Sequence, residues 1–236
     1  MYAPWRLCSK GVIQPNFDAV RIAKAYEAGG AACLSVLTDE RFFQGSFDYL
    51  RAIRDAGVTC PLLCKEFIVE PYQLFKARAH GADAVLLIAA VLPSQDLKYL
   101  GAIATSLGLA ALIEVHTEAE LARVMSLHGV FPFMLGINNR DLGTFKVDLS
   151  LTARLLATPS GAAARDAGVL LVGESGIFTF DDVKLLKDVG VGALLVGESL
   201  VKQGDPKAGV RALYGRTDLQ DDCDANPSAE ECRVYE

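Results

Sequence analysis

The chain is short of positive charge, of aromatic rings and of long apolar runs, and each shortage excludes a class of protein. Lysine and arginine number 23 against 29 acidic residues, for a formal net charge of −6. The tail Arg216–Glu236 carries seven acidic residues against two arginines, so the rest of the chain is close to neutral. Neither part offers the basic stripe that a phosphate backbone requires, and nucleic acid is not an expected partner. No apolar run is long enough for a membrane span, and the opening MYAPWRLCSK lacks a signal-peptide core, so no membrane partner is expected either. No GxGxxG or Walker string opens a helix, which argues against a nucleotide site. Cysteine is present six times (Cys8, Cys33, Cys60, Cys64, Cys223, Cys232), and the four that lie in or beside apolar runs read as reduced, core-type thiols. Cys60 and Cys64 have no companion His or Cys cluster at zinc spacing, so no metal is expected. A Cys223–Cys232 disulfide would be peripheral to function.

What remains is a 236-residue chain, 51% hydrophobic, in which short apolar runs alternate with amphipathic segments. The runs are Ala32–Leu37, Pro61–Phe67, Ala84–Ala89, Ala110–Val115, Phe133–Asn138, Val169–Glu174 and Ala193–Val196. Their brevity and uniform apolarity predict parallel strands buried on both faces. Helical patterns lie between and around them at Phe17–Ala28, Ser46–Ala56, Pro71–His80, Gln95–Leu107, Glu118–Leu127, Leu149–Ala157, Thr179–Val189 and about Pro206–Tyr214. Gly29, Gly57, Gly81, Gly108 and Gly190 are placed to end helices in a left-handed turn. Such a βα repeat closes either as an open doubly wound sheet or as an eight-stranded barrel. For a barrel the eighth strand has to come from Met1–Cys8, a poor strand that contains Pro4. The tail 216–236 reads as disordered.

In barrels the chemistry stands at the carboxyl ends of strands. Polar residues meet that description at Lys65, Glu114, Asn138 and the pair Glu174-Ser175. Lys65 suits an acid whose pKa falls in a desolvated mouth, or else a rim lysine reaching water. Glu114, between Ile113 and Val115, suits an acid–base partner or a structural ion pair. Asn138, Asn139, Arg140 and Asp141 would also suit a turn. The strings Gly-Glu-Ser-Gly-Ile (173–177) and Val-Gly-Glu-Ser-Leu (196–200) suit a phosphate cradle, or plain glycine turns. His80, His116 and His128 read as structural or surface residues.

Several stretches, in order, resemble the indole-3-glycerol-phosphate synthase family: Ser9-Lys10-Gly11, Leu34-Ser35-Val36-Leu37-Thr38-Asp39, Phe42-Phe43-Gln44-Gly45-Ser46, Lys65-Glu66-Phe67-Ile68, Ile113-Glu114-Val115-His116, Asn138-Asn139-Arg140-Asp141-Leu142, Gly173-Glu174-Ser175-Gly176-Ile177 and Val196-Gly197-Glu198-Ser199-Leu200. The resemblance, of plant and algal character, implies an α/β fold, a (β/α)8 TIM barrel over 1–215, with no cofactor and a small phosphorylated substrate. It implies decarboxylating ring closure of 1-(2-carboxyphenylamino)-1-deoxyribulose 5-phosphate in tryptophan biosynthesis, in a plastid or otherwise the cytoplasm, and leaves open association with other enzymes of that pathway. It assigns Lys65 as general acid, Glu114 as the carboxylate that steadies charge on the anilino nitrogen, and Asn138 with Arg140 as the orienting pair. Glu174 and Ser175 match a further polar group, and Gly176, Gly197 and Glu198 match the phosphate cradle. One departure stands out. The family's first strand carries Glu-x-Lys and then Ser-Pro, and the matching positions here hold Tyr2, Pro4, Leu7 and Cys8. The expectation is a first strand missing or degenerate, with a truncated gene reading preferred over decay to a non-catalytic binding barrel, and with reduced stability and low activity.

Overall fold

The computed structural model describes residues 17–141 and 143–215. The segment Met1–Cys8, Leu142, and the acidic tail with Cys223 and Cys232 lie outside the described residues.

The βα repeat is present. Strands β1 (Leu34–Leu37), β2 (Leu62–Lys65), β3 (Ala84–Ile88), β4 (Ala110–Val115), β5 (Phe133–Asn138), β6 (Leu171–Glu174) and β7 (Ala193–Leu195) form one sheet in sequential order. Every pairing is parallel. The intervening helices are α1 (Ala19–Ala28), α2 (Glu40–Phe43), α3 (Phe47–Asp55), α4 (Pro71–Ala79), α5 (Ser94–Ser106), α6 (Glu118–Met125), α7 (Ser150–Leu156), α8 (Pro159–Asp166), α9 (Phe180–Asp188), α10 (Glu198–Val201) and α11 (Pro206–Leu213).

Strand alternation sorts the core into two layers, because successive side chains leave a strand on opposite faces. One face packs against the helices, with Leu62, Cys64, Val85, Leu87, Ile113 and Leu135 among its members. The other gathers Leu63, Ala84, Leu86, Ile88, Leu112 and Val172, and this is the inner face of a curled sheet. Lys65, Glu114 and Glu174 each stand two residues beyond a member of this inner layer, so the same alternation that fills the interior carries them to its mouth.

The ring of helices closes further than the ring of strands. Helix α1 packs on α11, where a side chain at Gly29 would meet the Lys207 carbonyl at 3.0 Å and Val210 Cβ at 3.1 Å. Strands β1 and β7, by contrast, are the two edges of the sheet among the described residues. Their inner faces are correspondingly open: Leu37 is 41% exposed, and β7 is only partly buried throughout.

Local chemistry explains most boundaries. Asp18, Asp39, Ser46, Thr117, Thr158, Thr179 and Asp205 cap helices by accepting backbone N–H groups of the first turn. Gly57, Gly81, Gly108 and Gly190 take the left-handed turn expected of them. Gly29 does not: its φ is −81°, and Gly30 makes the turn instead with φ 90°. Helices α2, α8 and α10 are additions to the sequence reading. Helices α2 and α10 are single turns, and α8 is built from small residues whose burial gives a weak apolar stripe.

Candidate active site

Four strands deliver one polar cluster. Lys65, the last residue of β2, places Nζ 3.5 Å from Glu114 Oε2 of β4 and 3.4 Å from Glu174 Oε2 of β6. Asn138 ends β5 in register with Glu174, and Glu114 is in register with Gly136 of β5. Glu114, Asn138 and Glu174 are all buried, whereas the Lys65 side chain keeps 24% of its surface on the open side of the cluster.

One ammonium therefore serves two buried carboxylates, and this arithmetic sets the protonation states. Burial alone would pull Lys65 down, but Glu174 and Glu114 outweigh it, and the ammonium is held above its ordinary value. The depressed lysine expected from sequence is thus corrected: its pairing with Glu114 was open to the sequence reading, but the second acid, Glu174, was not placed beside it. Burial pushes Glu114 up, yet Lys65, His116 and the Asn138 amide prevail and keep it ionised below the usual range. Glu174 loses the contest. Burial raises it first, Lys65 offsets only part of that, and Glu114 adds its repulsion, leaving Glu174 at about 8. At neutral pH the cluster is a lysinium, one carboxylate and one carboxylic acid, the split that a site needs to hold an acid and a base side by side.

The glycine strings sit at the next strand ends. Ser175 follows Glu174 at φ 63° and Gly176 at φ 81°, two successive residues in the left-handed region that turn the chain directly after β6. A side chain on Gly176 would collide with Val147 Cγ1. Around Gly197, which precedes α10 after β7, a Cβ would meet nothing within 4 Å. Arg140 reaches across from the β5 loop and donates from Nη2 to Glu198 Oε2 at 3.1 Å, and Lys202 Nζ donates to Glu198 Oε1 at 2.8 Å. The Asn138 side-chain oxygen accepts the Arg140 backbone N–H at 3.0 Å, so that pair is coupled through the main chain.

Three neighbours of the cluster escaped the sequence reading. His116 is not a surface residue: its Nε2 lies 3.6 Å from Glu114 Oε1, with only 10% of the side chain exposed. The Glu-x-His spacing at the end of β4, with His116 just past the last strand residue, was the signal for it. His80 packs edge-on against Phe47, and His128 is exposed, as a structural and a surface residue should be. Gly136 leaves the room that the Glu174 carboxyl occupies, since a Cβ there would overlap Oε1. Asn139 is a brace rather than a turn residue. Its Nδ2 donates to the carbonyls of Glu174 (3.0 Å) and Ser175 (3.3 Å), and its Oδ1 accepts from Thr152 N (3.2 Å) and Oγ1 (2.8 Å). Asp141 does build the turn, accepting from Gly143 N and Thr144 N.

Fold and cluster together define a parallel βα-barrel protein with a buried acid–base group at the carboxyl ends of its strands. The solved structures it resembles say the same of the fold. A 3-hexulose-6-phosphate synthase matches with a TM-score of 0.65 at 14% identity, over 84% of this chain and 92% of that one. The tryptophan synthase α2β2 complex of Pyrococcus furiosus matches at 0.61 and 17%, over 84% and 93%. The family model for indole-3-glycerol phosphate synthase matches residues 7–213, and the chain belongs to that family. It is 55% identical over 208 residues to the chloroplastic indole-3-glycerol phosphate synthase of Arabidopsis thaliana, 88% of this chain and 51% of that protein. It is 59% identical over 195 residues to the enzyme of that name from Acaryochloris marina, 83% and 63%. The chain thus spans about half the length of the plant relative and somewhat under two thirds of the cyanobacterial one.

Proposed function

We propose that this chain performs the reaction for which its family is named, closing the ring of 1-(2-carboxyphenylamino)-1-deoxyribulose 5-phosphate with loss of CO2 and water to give indole-3-glycerol phosphate. The observation that carries the reading is the convergence of Lys65, Glu114 and Glu174 from three strands on contacts of 3.4 to 3.5 Å at one mouth.

Ring closure places negative charge on the ketone oxygen of the substrate. A lysine held charged by its neighbours stabilises that charge before it transfers the proton, and does so most strongly where water is excluded. Lys65 is that group, and it acts again when the hydroxyl departs as water. Glu114, ionised, faces the positive charge that gathers on the anilino nitrogen, and accepts the proton lost from the adjacent carbon. Asn138 and Arg140 orient the substrate, with Glu174 and Ser175 beside the reacting end. Gly176, Gly197 and Glu198 offer their backbone N–H groups to the phosphate, and the space around Gly197 is open to it. The chloroplastic Arabidopsis relative supports a plastid as the working compartment.

The family's first-strand Glu and Lys positions hold Tyr2 and Pro4, and turnover below that of relatives carrying the lysine is expected. The test is purified chain supplied with the carboxyphenylamino substrate and assayed for the indole product by its fluorescence. Product that disappears in Lys65→Met supports the reading. Binding of substrate with no turnover would favour instead a barrel kept for assembly with other proteins.

A further inference from the structure

The reaction proposed above draws two protons from Lys65, which holds one. The first goes to the ketone oxygen at ring closure and the second to the departing hydroxyl, while Glu114 is ionised until it takes a proton from carbon. Between those steps substrate covers the open side of Lys65, the 24% of the side chain that reaches solvent. The second proton therefore has to stand within the cluster before substrate arrives.

Glu174 is where it fits. Its Oε2 accepts from Lys65 Nζ at 3.4 Å, so the ammonium takes up that oxygen and the acid proton falls to Oε1. Oε1 is buried without a hydrogen-bond partner among the described residues, in the space that Gly136 leaves. In a buried site that already holds one carboxylate, the neutral acid is the favoured form of the second. Among the described residues the titratable groups that face Glu174 are Lys65 from β2 and Glu114 from β4, and together with burial they leave its pKa at about 8. Lys65 is held above its ordinary range, so a proton passed from Glu174 to a neutral Lys65 amine runs downhill.

We propose that Glu174 is a positioning residue that acts through Lys65: it stores the second proton and returns it to Lys65 between ring closure and loss of water. This rests on the reading of the site given above, which leaves Glu174 beside the reacting end without a task. Loss of the first proton leaves Lys65 a neutral amine that no longer needs Oε2 as an acceptor. A half-turn about the Glu174 Cγ–Cδ bond exchanges the carboxyl oxygens and brings the O–H round to Nζ. The O–H bond breaks, an N–H bond forms, and the pair becomes carboxylate and ammonium. Lys65 then protonates the departing hydroxyl, and Glu114 passes the proton it took from carbon to Lys65 across 3.5 Å. Glu174 is left one proton short, which is the one proton the whole reaction consumes, since a carboxylate departs as neutral CO2. After product leaves, solvent supplies that proton through the open side of Lys65, and the resting cluster is restored.

Glu174→Gln keeps the size and neutrality of the acid and removes its transferable proton. The experiment mixes the parent or this variant, in excess, with the carboxyphenylamino substrate and follows CO2 and the indole product separately. In the parent the two appear together. In Glu174→Gln CO2 is expected at a rate near the parent's, up to about one per site, with the indole product trailing by about tenfold or more. Product that keeps pace with CO2, or an equal slowing of both, overturns the role given to Glu174. In steady state the parent's kcat is expected to fall as pH rises through about 8, with KM little changed, and a fall that persists in Glu174→Gln overturns it as well. One readout needs no turnover: the infrared difference between free parent and variant at neutral pH is expected to contain the C=O stretch of a carboxylic acid, lost on raising the pH through about 8. No such band overturns the store. A parent that yields neither CO2 nor indole product sinks the assigned reaction and this role with it, whereas a variant that matches the parent sinks the role alone.

Discussion

The protonation of a single residue, Glu174, sets the balance of the whole cluster, and it can be read out as stability. Its ordinary value is 4.5 and its folded value is about 8, so between those limits the folded chain holds a proton that the unfolded chain has released. Stability from this group is therefore present below about pH 4.5 and is lost as pH rises through 8. The slope is at most about 1.4 kcal/mol per pH unit. Replacing Glu174 with Gln removes it. Urea unfolding of Glu174→Gln and the parent, compared at pH 5.5 and 8.5, is expected to show the variant gaining on the parent at the higher pH. An equal difference at both would mean that Glu174 titrates normally. Gly136 belongs to the same scale. The Glu174 carboxyl stands where a Cβ on residue 136 would be, and both are rigidly placed in paired strands. Gly136→Ala is expected to displace that carboxyl from Lys65, lowering kcat by tenfold or more and stability by about 1–3 kcal/mol. Full activity in this variant would show that Glu174 has room to move.

The strand ends behave as elements held by one another, and Asn139 is where this shows. By bonding the Glu174 and Ser175 carbonyls on one side and Thr152 of α7 on the other, it ties the mouth of β5 to that of β6 and fixes the positive φ of Ser175. Asn139→Ala leaves buried carbonyls and a buried Thr152 hydroxyl without that partner, and a loss of about 2–4 kcal/mol is expected in urea unfolding. Asn139→Asp should be no better, since it keeps the acceptor and loses the donor. This brace also marks the limit of what could be read without coordinates. The strands were legible because each is a short apolar run between turn residues, and β4 and β5 fall on the expected residues. Lys65, Glu114, Asn138 and Glu174 were legible because a polar residue after an apolar strand has only the mouth to occupy. Asn139 was not, because nothing in Asn138-Asn139-Arg140-Asp141 says which amide turns inward. Gly136 depends on the Glu174 side chain of the neighbouring strand, which a linear pattern does not contain, whereas His116 was legible in the Glu-x-His spacing and was passed over. Helix α8 was missed because Gly161 and Ala164 bury against neighbours without large side chains, although Thr158-Pro159 is a readable start.

At the scale of the whole molecule, a sheet whose two edge strands are unpaired among the described residues is held in its curl by the helices outside it. The central strands β3 and β4 are nearly buried throughout, while β1 alternates between buried and exposed and β7 is only half covered. The seam that draws β1 toward β7 is the contact of α1 with α11, and at Gly29 a Cβ would stand 3.0 Å from the Lys207 carbonyl and 3.1 Å from Val210 Cβ, so a side chain there requires α11 to give way. Gly29 itself has an ordinary φ of −81°, so a substitution there tests the seam and not backbone strain. Gly29→Val would press on the Lys207 carbonyl and Val210, prising α11 from α1 at a cost of about 1–3 kcal/mol. Because β1 and β7 present unpaired edges among the described residues, loosening the seam exposes backbone that other chains can pair with. The variant is expected to show faster amide exchange in β1 and β7 than the parent, unchanged exchange in β3 and β4, and more self-association by light scattering on warming. Exchange that accelerates evenly across all seven strands would mean that the molecule opens as one unit and that the helical seam has no special part in closing it.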